Sequence, residues 1–291
     1  MKKLKMFALA AVALFGLTGA ANAATAMLAS DDFVGISFWV IAMGMAAATV
    51  FFFMERNTVA AGWKTSVTVA GLVTGVAFIH YMYMRDVWVM TGDSPTVYRY
   101  IDWLITVPLQ MIEFYLILAA VKKIPGAIFW RLLIGSLVML IGGYLGEAGY
   151  INAMLGFIVG MAGWIYILYE VFSGEAGKIA AKTGNKPLAT AWGAMRMIVT
   201  IGWAVIIWEI FRGEASQAAT TKESVTSAFN AMRLIVLVGW AIYPLGYVFG
   251  LMLGSVDAET LNWIYNLADF INKILFGLII WNAAAKDSAT A

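Results

Sequence analysis

The sequence predicts an all-α membrane protein, and three observations support that prediction. Of its 291 residues, 62% are hydrophobic and only 12% are charged, which is about half the charge of a soluble domain. Turn residues or charges divide the apolar stretches, and the connections are short. Eight apolar segments are long enough to span a bilayer, at about 33–54, 65–84, 98–121, 127–145, 151–172, 189–211, 228–253 and 260–283. Membrane lipid is therefore the expected surrounding partner.

Composition also excludes several kinds of site. The chain has no cysteine and one histidine, so disulfides, thiol chemistry and cysteine-rich or multi-histidine metal sites are excluded. A net charge of +2 is too small to indicate a nucleic-acid partner. No nucleotide-binding motif is found, and we expect neither a metal site nor an enzyme.

The first residues resemble a secretory signal. Basic residues at Lys2, Lys3 and Lys5 precede a short apolar core at 6–20, and Ala21-Asn22-Ala23 offers a cleavage site. We predict a signal peptide at 1–23 and a membrane domain at 24–291, with the mature N-terminus outside. An uncleaved short helix is the alternative, although the core is shorter than the ~20 residues that a span needs.

Loop charges predict an orientation that contains a conflict. Basic residues after the first, third and fifth segments place those loops in the cytoplasm: Arg56, Lys64, Lys122, Lys123, Lys178, Lys182 and Lys186. Acidic residues place the loops after the second, fourth and seventh segments outside: Asp93, Glu147, Asp257 and Glu259. The loop after the fifth segment is predicted to be cytoplasmic and the loop at 254–259 external, so only one net membrane crossing can join them. Two apolar segments nevertheless lie between these loops, at 189–211 and 228–253.

A tandem repeat explains the conflict. Residues 163–176 (GWIYILYEVFSGEA) match 202–215 (GWAVIIWEIFRGEA), and 194–204 (AMRMIVTIGWA) match 231–241 (AMRLIVLVGWA). The segment 189–211 therefore combines two copied ends that both belong to the cytoplasmic side. We predict an extra duplicated helix that re-enters or lies at the interface without a net crossing; an eighth span is the alternative.

Lys273 is the first candidate for chemistry, because it lies in the middle of the last apolar segment. It cannot easily reach an interface, and a desolvated lysine can form a Schiff base with a carbonyl compound. Asp269 lies four residues earlier on the same helical face. The alternative is a structural ion pair that ties helices together.

The third segment carries Arg99, Asp102, Thr106 and Glu113 at spacings of 3, 4 and 7, which one helical face can hold. Two carboxylates along one face across a membrane suit a proton relay. The alternative is that Arg99 and Asp102 merely neutralise each other. Glu113 has no basic residue within seven positions.

Two further features have a structural and a functional reading. His80 in the second segment is either a hydrogen-bonded core residue or a partner that tunes the pKa of a neighbouring carboxylate. Pro244 kinks its segment and frees a backbone carbonyl. Trp240 and Tyr243 beside the kink either wall a cavity or pack ordinarily.

Several of these stretches together resemble the proteorhodopsin family of microbial rhodopsins: RYIDWLITVPL, EFYLIL, GEAG, GWAIYPLGY and NLADFINKILFGLIIWN. The resemblance covers about 33–172 and 222–285. It implies a seven-transmembrane-helix rhodopsin bundle, to which 189–211 adds one helix. It also implies a light-driven outward proton pump of the bacterial inner membrane that forms a pentamer or hexamer.

The resemblance implies a role for each candidate residue. Lys273 carries all-trans retinal as a protonated Schiff base, with Asp102 as counterion and proton acceptor and Asp269 as second counterion. Glu113 is the cytoplasmic proton donor. The remaining roles are auxiliary: Arg99 organises charge and water on the outer side, Thr106 supports Asp102, and His80 bonds Asp102.

The same resemblance assigns the retinal pocket. Its expected lining residues are Trp103, Trp240, Tyr243 and Pro244. Gln110 falls at the spectral-tuning position and indicates a blue-absorbing type. Phe157 occupies the position where carotenoid-binding relatives have glycine, so no antenna carotenoid is expected.

The duplication leaves two alternatives open. One is a photosensory rhodopsin that signals through a partner, with the extra segment as a docking element. The other is a retinal protein that the duplication prevents from pumping. If 189–211 spanned the membrane, the last helix would run backwards and Asp269 would lie on the wrong side of Lys273. The two carboxylates in line favour the pump.

Overall fold

The computed structural model describes residues 27–182 and 223–289, which are almost entirely helical. The first part contains α1 (Phe33–Glu55), a 3₁₀ turn (Ala61–Trp63), α2 (Lys64–Thr91), α3 (Thr96–Ala119), α4 (Ala127–Glu147), α5 (Ala153–Phe172) and the short α6 (Glu175–Lys182). The second part contains α7 (Glu223–Leu234), α8 (Ile242–Gly246) and α9 (Ala258–Ala289), with π-helical turns at Ile235–Gly239 and Tyr247–Met252.

Seven helical runs within these residues are long and apolar enough to cross a membrane: Phe33–Glu55, Ala61–Thr91, Thr96–Ala119, Ala127–Glu147, Ala153–Ala180, Ser224–Met252 and Ala258–Ala289. The predicted seven-helix membrane fold is confirmed. The predicted signal peptide at 1–23 and the predicted extra helix at 189–211 lie outside the described residues.

Two predicted helix ends are corrected. The second span continues beyond residue 84 and ends only before Gly92, whose φ of 70° is left-handed. Arg85 and Asp86, which lie inside this extension, pair with each other at 2.6 Å. Glu147, expected in a loop, is instead the last residue of α4. Its partly buried carboxylate accepts a hydrogen bond inside the bundle from Tyr100.

Helices that follow one another in the chain pack side by side, and α9 closes the ring against α1, α2 and α7. At the α4–α5 contact, glycines of one helix face the backbone of the other. A Cβ on Gly163 would lie 2.5 Å from the backbone nitrogen of Met139, and one on Gly156 would lie 2.5 Å from the Cα of Gly146. Small residues at such positions let membrane helices approach.

The sixth span is interrupted by π turns on both sides of α8, the segment that contains Pro244. A π turn leaves backbone carbonyls without their usual intrahelical donors. The carbonyl of Val236 accepts from Trp164 Nε1 at 3.1 Å, and that of Gly239 accepts from Asn272 Nδ2 at 3.1 Å. The sequence predicted the kink at Pro244 but not these side-chain donors from α5 and α9.

Candidate functional site

A buried lysine between two buried carboxylates forms the centre of the bundle. Lys273 on α9 is 3% exposed, and its Nζ lies 2.5 Å from Oδ2 of Asp102 on α3. The same nitrogen lies 2.9 Å from Oδ2 of Asp269, one helical turn earlier on α9. The Nζ is a free amine in this structure and marks where an imine nitrogen would lie. The predicted Lys273–Asp269 face therefore meets the predicted Asp102 face directly.

The two carboxylates differ in how completely they are hydrogen-bonded. Asp269 accepts from the hydroxyls of Tyr81 at 2.8 Å and Tyr243 at 2.6 Å, and from Trp103 Nε1 at 3.2 Å. Oδ1 of Asp102, in contrast, has no hydrogen-bond partner among the described residues. Three donors besides Lys273 therefore bond to Asp269, whereas Asp102 keeps one oxygen to which no described residue donates.

His80 and Thr106 lie beside Asp102 without donating to its carboxylate. The Nδ1 of His80 lies 3.0 Å from the carbonyl oxygen of Val76 and 3.7 Å from Oδ1 of Asp102. The latter distance is too long for a hydrogen bond, so His80 lies beside Asp102 without the expected bond. Thr106 Oγ1 donates at 3.0 Å to the backbone carbonyl of Asp102, which fixes the helix turn rather than the carboxylate.

Arg99 lies about one turn before Asp102 on α3 and bonds to amides. Its Nη2 donates to Oδ1 of Asn262 at 2.8 Å and of Asn266 at 3.0 Å, and its Nη1 lies 3.4 Å from the Tyr81 hydroxyl. Tyr81 thus links Arg99 to Asp269.

Sequence reasoning missed Tyr81 and both asparagines. Asn262 and Asn266 had a usable signal, because they continue the helical face of Asp269 and Lys273 at spacings of four and three. Tyr81 is one of many aromatic residues in an apolar span, and the sequence has no feature that distinguishes it.

Glu113 is a second, separate buried carboxyl on α3. It is 1% exposed, and neither of its oxygens has a hydrogen-bond partner among the described residues. The buried hydroxyl of Ser66, in the first turn of α2, lies close to it. Burial without a cation favours the neutral acid over the carboxylate. The predicted site residues therefore fall into a charged cluster and an isolated acid.

An apolar cavity of about 100 Å³ opens beside Lys273. All the predicted pocket residues line it: Trp103, Gln110, Trp240, Tyr243 and Pro244. Residues that the sequence did not predict also line it, among them Tyr100, Met139, Glu147, Met161, Trp164, Tyr265 and Asn272.

The cavity walls fit an apolar, conjugated carbonyl compound such as retinal. Trp103 meets Tyr243 edge to face at 4.9 Å and Tyr265 at 5.9 Å, which makes a rigid aromatic wall. Lys273 supplies the amine that such a compound needs for a covalent link. The observed residue set therefore fits the group that the resemblance implied.

Gln110 and Phe157 also line this cavity. The Gln110 amide donates to the backbone carbonyl of Asn272 at 3.2 Å, which places its dipole beside the lysine helix. The Phe157 ring packs 5.7 Å from Tyr247. Their predicted effects on colour and on carotenoid binding stay predictions.

Comparison with known proteins agrees with this architecture. A family model described as bacteriorhodopsin-like protein matches the chain over residues 32–205 and again over 200–287. The two matches overlap at 200–205, inside the repeated segment. Both the repeat and the match boundary therefore fall in one region of the sequence.

Individual relatives are similar over most of the chain. The blue-light absorbing proteorhodopsin of Gamma-proteobacterium Hot 75m4 is 50% identical over 263 residues, which is 90% of each protein. The green-light absorbing proteorhodopsin of Gamma-proteobacterium EBAC31A08 is also 50% identical, over 265 residues and 91% of each. The crystal structure of blue light-absorbing proteorhodopsin from Med12 aligns with a TM-score of 0.65 at 50% identity, covering 88% of this chain and 100% of that one.

Proposed function

The chain belongs to the bacteriorhodopsin-like family, and on that premise we propose that it is a light-driven outward proton pump with retinal bound to Lys273. The observation that carries the proposal is the buried Lys273 amine between two unequally bonded carboxylates, beside an aromatic cavity. Rhodopsins of this family use retinal, and we propose the all-trans isomer as the resting form. Retinal held by Lys273 would supply light absorption and a light-driven isomerisation beside the lysine nitrogen.

Asp102 is the proposed proton acceptor. Its Oδ2 lies 2.5 Å from Nζ of Lys273, within reach for direct proton transfer. Asp269 lies 2.9 Å from the same nitrogen but accepts three other hydrogen bonds, so protonating it would break a satisfied network. We therefore assign proton acceptance to Asp102 and fixed counter-charge to Asp269.

Glu113 is the proposed donor that restores the proton to the lysine nitrogen. An isolated buried carboxyl holds a proton until a nearby base is created. Ser66 in the first turn of α2 lies beside it, so only about one helical turn separates this acid from the end of the span. Proton uptake from the cytoplasm then needs only a short path.

Arg99 is the proposed link between Asp102 and the outside. Its guanidinium is held by the asparagines of α9, and the polar path continues outward because Ser94 Oγ lies 3.3 Å from Oδ1 of Asn262. These neutral amides hold the arginine without neutralising it. The positive charge therefore favours release of a proton that has reached Asp102.

Several features beyond the reaction are proposed on the resemblance and on sequence pattern. We propose insertion in a bacterial inner membrane after cleavage of residues 1–23, assembly into pentamers or hexamers, blue absorption through Gln110, and no net crossing by 189–211. The last point is required by the reaction, because α9 must place Asp269 on the outer side of Lys273.

The experiment is light-driven transport in intact bacterial cells that express the full chain and receive all-trans retinal. A visible band and reversible acidification of the medium on illumination, abolished by a protonophore, are the expected results. A band without any light-induced pH change would overturn the pump and favour the sensory alternative. Absence of a band would overturn retinal binding itself.

A further inference from the structure

Glu147 is a carboxyl that the proton path does not use, yet it lines the same cavity as Lys273. It stands at the outer end of α4. The Tyr100 hydroxyl on α3 donates to its Oε2 at 2.8 Å. The Tyr100 ring in turn meets Trp103 edge to face at 5.1 Å. The carboxyl is therefore fixed in the wall of the cavity and does not extend into solvent.

Glu147 and Lys273 belong to opposite walls. The helix of Lys273, α9, packs against α1, α2, α7 and α8, whereas α4 packs against α3 and α5. The cavity between them is lined on the α4–α5 side by Met139, Gly143, Glu147, Phe157, Met161 and Trp164. A ligand attached to Lys273 and extending across the cavity has Asp102 and Asp269 at its attached end, and Glu147 lies in the α4–α5 wall towards which it extends.

We propose that Glu147 is a second colour-tuning carboxyl whose ionisation shifts the absorption band in the direction opposite to that of Asp102. The inference rests on the proposed retinal linkage. Light moves the positive charge of a conjugated protonated imine away from the nitrogen. A negative charge at the far end therefore stabilises the excited state more than the ground state, and a negative charge at the nitrogen does the reverse. Ionised Glu147 shifts the band to longer wavelengths, and ionised Asp102 shifts it to shorter ones.

The groups that face Glu147 are few. Besides Tyr100, the titratable side chains close enough to interact with it are Arg99 on α3, Tyr247 on the sixth span and Tyr265 on α9. On α5 the cavity residues nearest this end are Gly156 and Phe157, which carry no charge. Tyrosines and arginine keep their charge state between mildly acidic and mildly alkaline pH, so a transition at this end in that range belongs to Glu147.

The test uses the full chain with retinal on an Asp102→Asn background, which removes the titration at the nitrogen end. As pH rises, we expect the band of D102N to move several nanometres to longer wavelengths. The D102N/E147Q variant should lose this shift, since glutamine keeps the acceptor for Tyr100 but cannot ionise. The matched control is D102N/E259Q, which removes an exposed outer carboxylate that does not line the cavity.

Each outcome has a distinct meaning. A shift that survives in D102N/E147Q, a shift to shorter wavelengths, or no shift at all overturns the tuning role. Loss of the imine proton moves the band to the near ultraviolet, so it is easily distinguished from shifts of a few nanometres in the visible band. In retinal-free membranes, a protonated-carboxyl stretch distinct from that of Glu113 should disappear on the same titration in D102N, and this change should not occur in D102N/E147Q. If no visible band forms in any variant, both the tuning role and retinal binding are overturned. The infrared titration then shows only whether Glu147 ionises.

Discussion

The Nζ of Lys273 lies 2.5 Å from Oδ2 of Asp102, a contact that joins residues 171 positions apart in the chain. Together with Arg99 and Asp269, these residues place two cations and two anions in the interior. Buried charges are tolerated when they are paired and hydrogen-bonded, and the four formal charges sum to zero. Transfer of a proton from Lys273 to Asp102 keeps that sum, so the bundle can carry out the transfer without burying a new net charge.

Lys273→Arg should abolish the pigment. Arginine keeps the positive charge between Asp102 and Asp269 but forms no stable imine with retinal. Membranes of K273R given all-trans retinal are expected to have no visible band. Lys122→Arg, just beyond the end of α3 and not among the residues that line the cavity, is the matched control and should bind retinal normally. A visible band in K273R would contradict the assignment of the attachment site.

Asp102→Asn should shift the band to longer wavelengths and eliminate transport. The substitution removes the negative charge beside the lysine nitrogen, and acidifying the parent protein should produce the same red shift as Asp102 takes a proton. Spectra recorded during acid titration test this expectation, with the exposed cap residue Asp257→Asn as control. If the band of D102N still moves to longer wavelengths on acidification, another group is responsible.

Glu113→Gln should leave the colour almost unchanged and slow return of the proton by about 10²–10⁴-fold. Without this donor, the proton must come from the cytoplasm directly, so the recovery rate should fall in proportion to proton concentration as pH rises. Flash-induced absorption changes at several pH values measure it. Glu55→Gln, a carboxylate at the end of α1 that accepts from Trp281, should recover at the parent's rate. A pH-independent, fast recovery in E113Q would exclude Glu113 as donor.

Tyr81→Phe should lower stability by about 1.5–3 kcal/mol, the range for a hydrogen bond to a charged group. The fully buried Tyr81 hydroxyl donates to Asp269 and lies beside Arg99. Thermal loss of the visible band reports the change. The control is Tyr83→Phe, whose side chain is 52% exposed on the same helix. If the two variants lose the visible band at the same temperature, the hydrogen bond of Tyr81 adds nothing to stability.

Gly163→Ala should destabilise the α4–α5 contact by about 1–3 kcal/mol. The new Cβ would meet the backbone nitrogen of Met139 at 2.5 Å, and backbone cannot move aside as a flexible side chain does. Gly126→Ala is the matched control, because nothing lies within 4 Å of its Cβ position. Heat inactivation of retinal-bound membranes should separate the two variants, and a G163A protein as stable as G126A would refute the close approach.

Much of the site was predictable because charge is conspicuous in an apolar segment. Lys273, Asp269, Asp102 and Glu113 are among the few ionisable residues inside spans, and their helical spacing placed them on two faces. The role of Glu147 was not predictable, since its position at the end of an apolar segment matches that of an ordinary loop acid.

By itself, the sequence determined the spans, the candidate charges and the family likeness, because hydrophobicity and helical spacing are local properties of the chain. Only the tertiary structure decided which groups meet. Asp102 and Asp269 are the same residue type in similar apolar surroundings, yet one carboxylate is saturated by Tyr81, Trp103 and Tyr243 and the other keeps a free oxygen. Hydrogen-bond partners that come from different helices depend on how those helices are rotated and spaced, and no local pattern in the chain records that geometry.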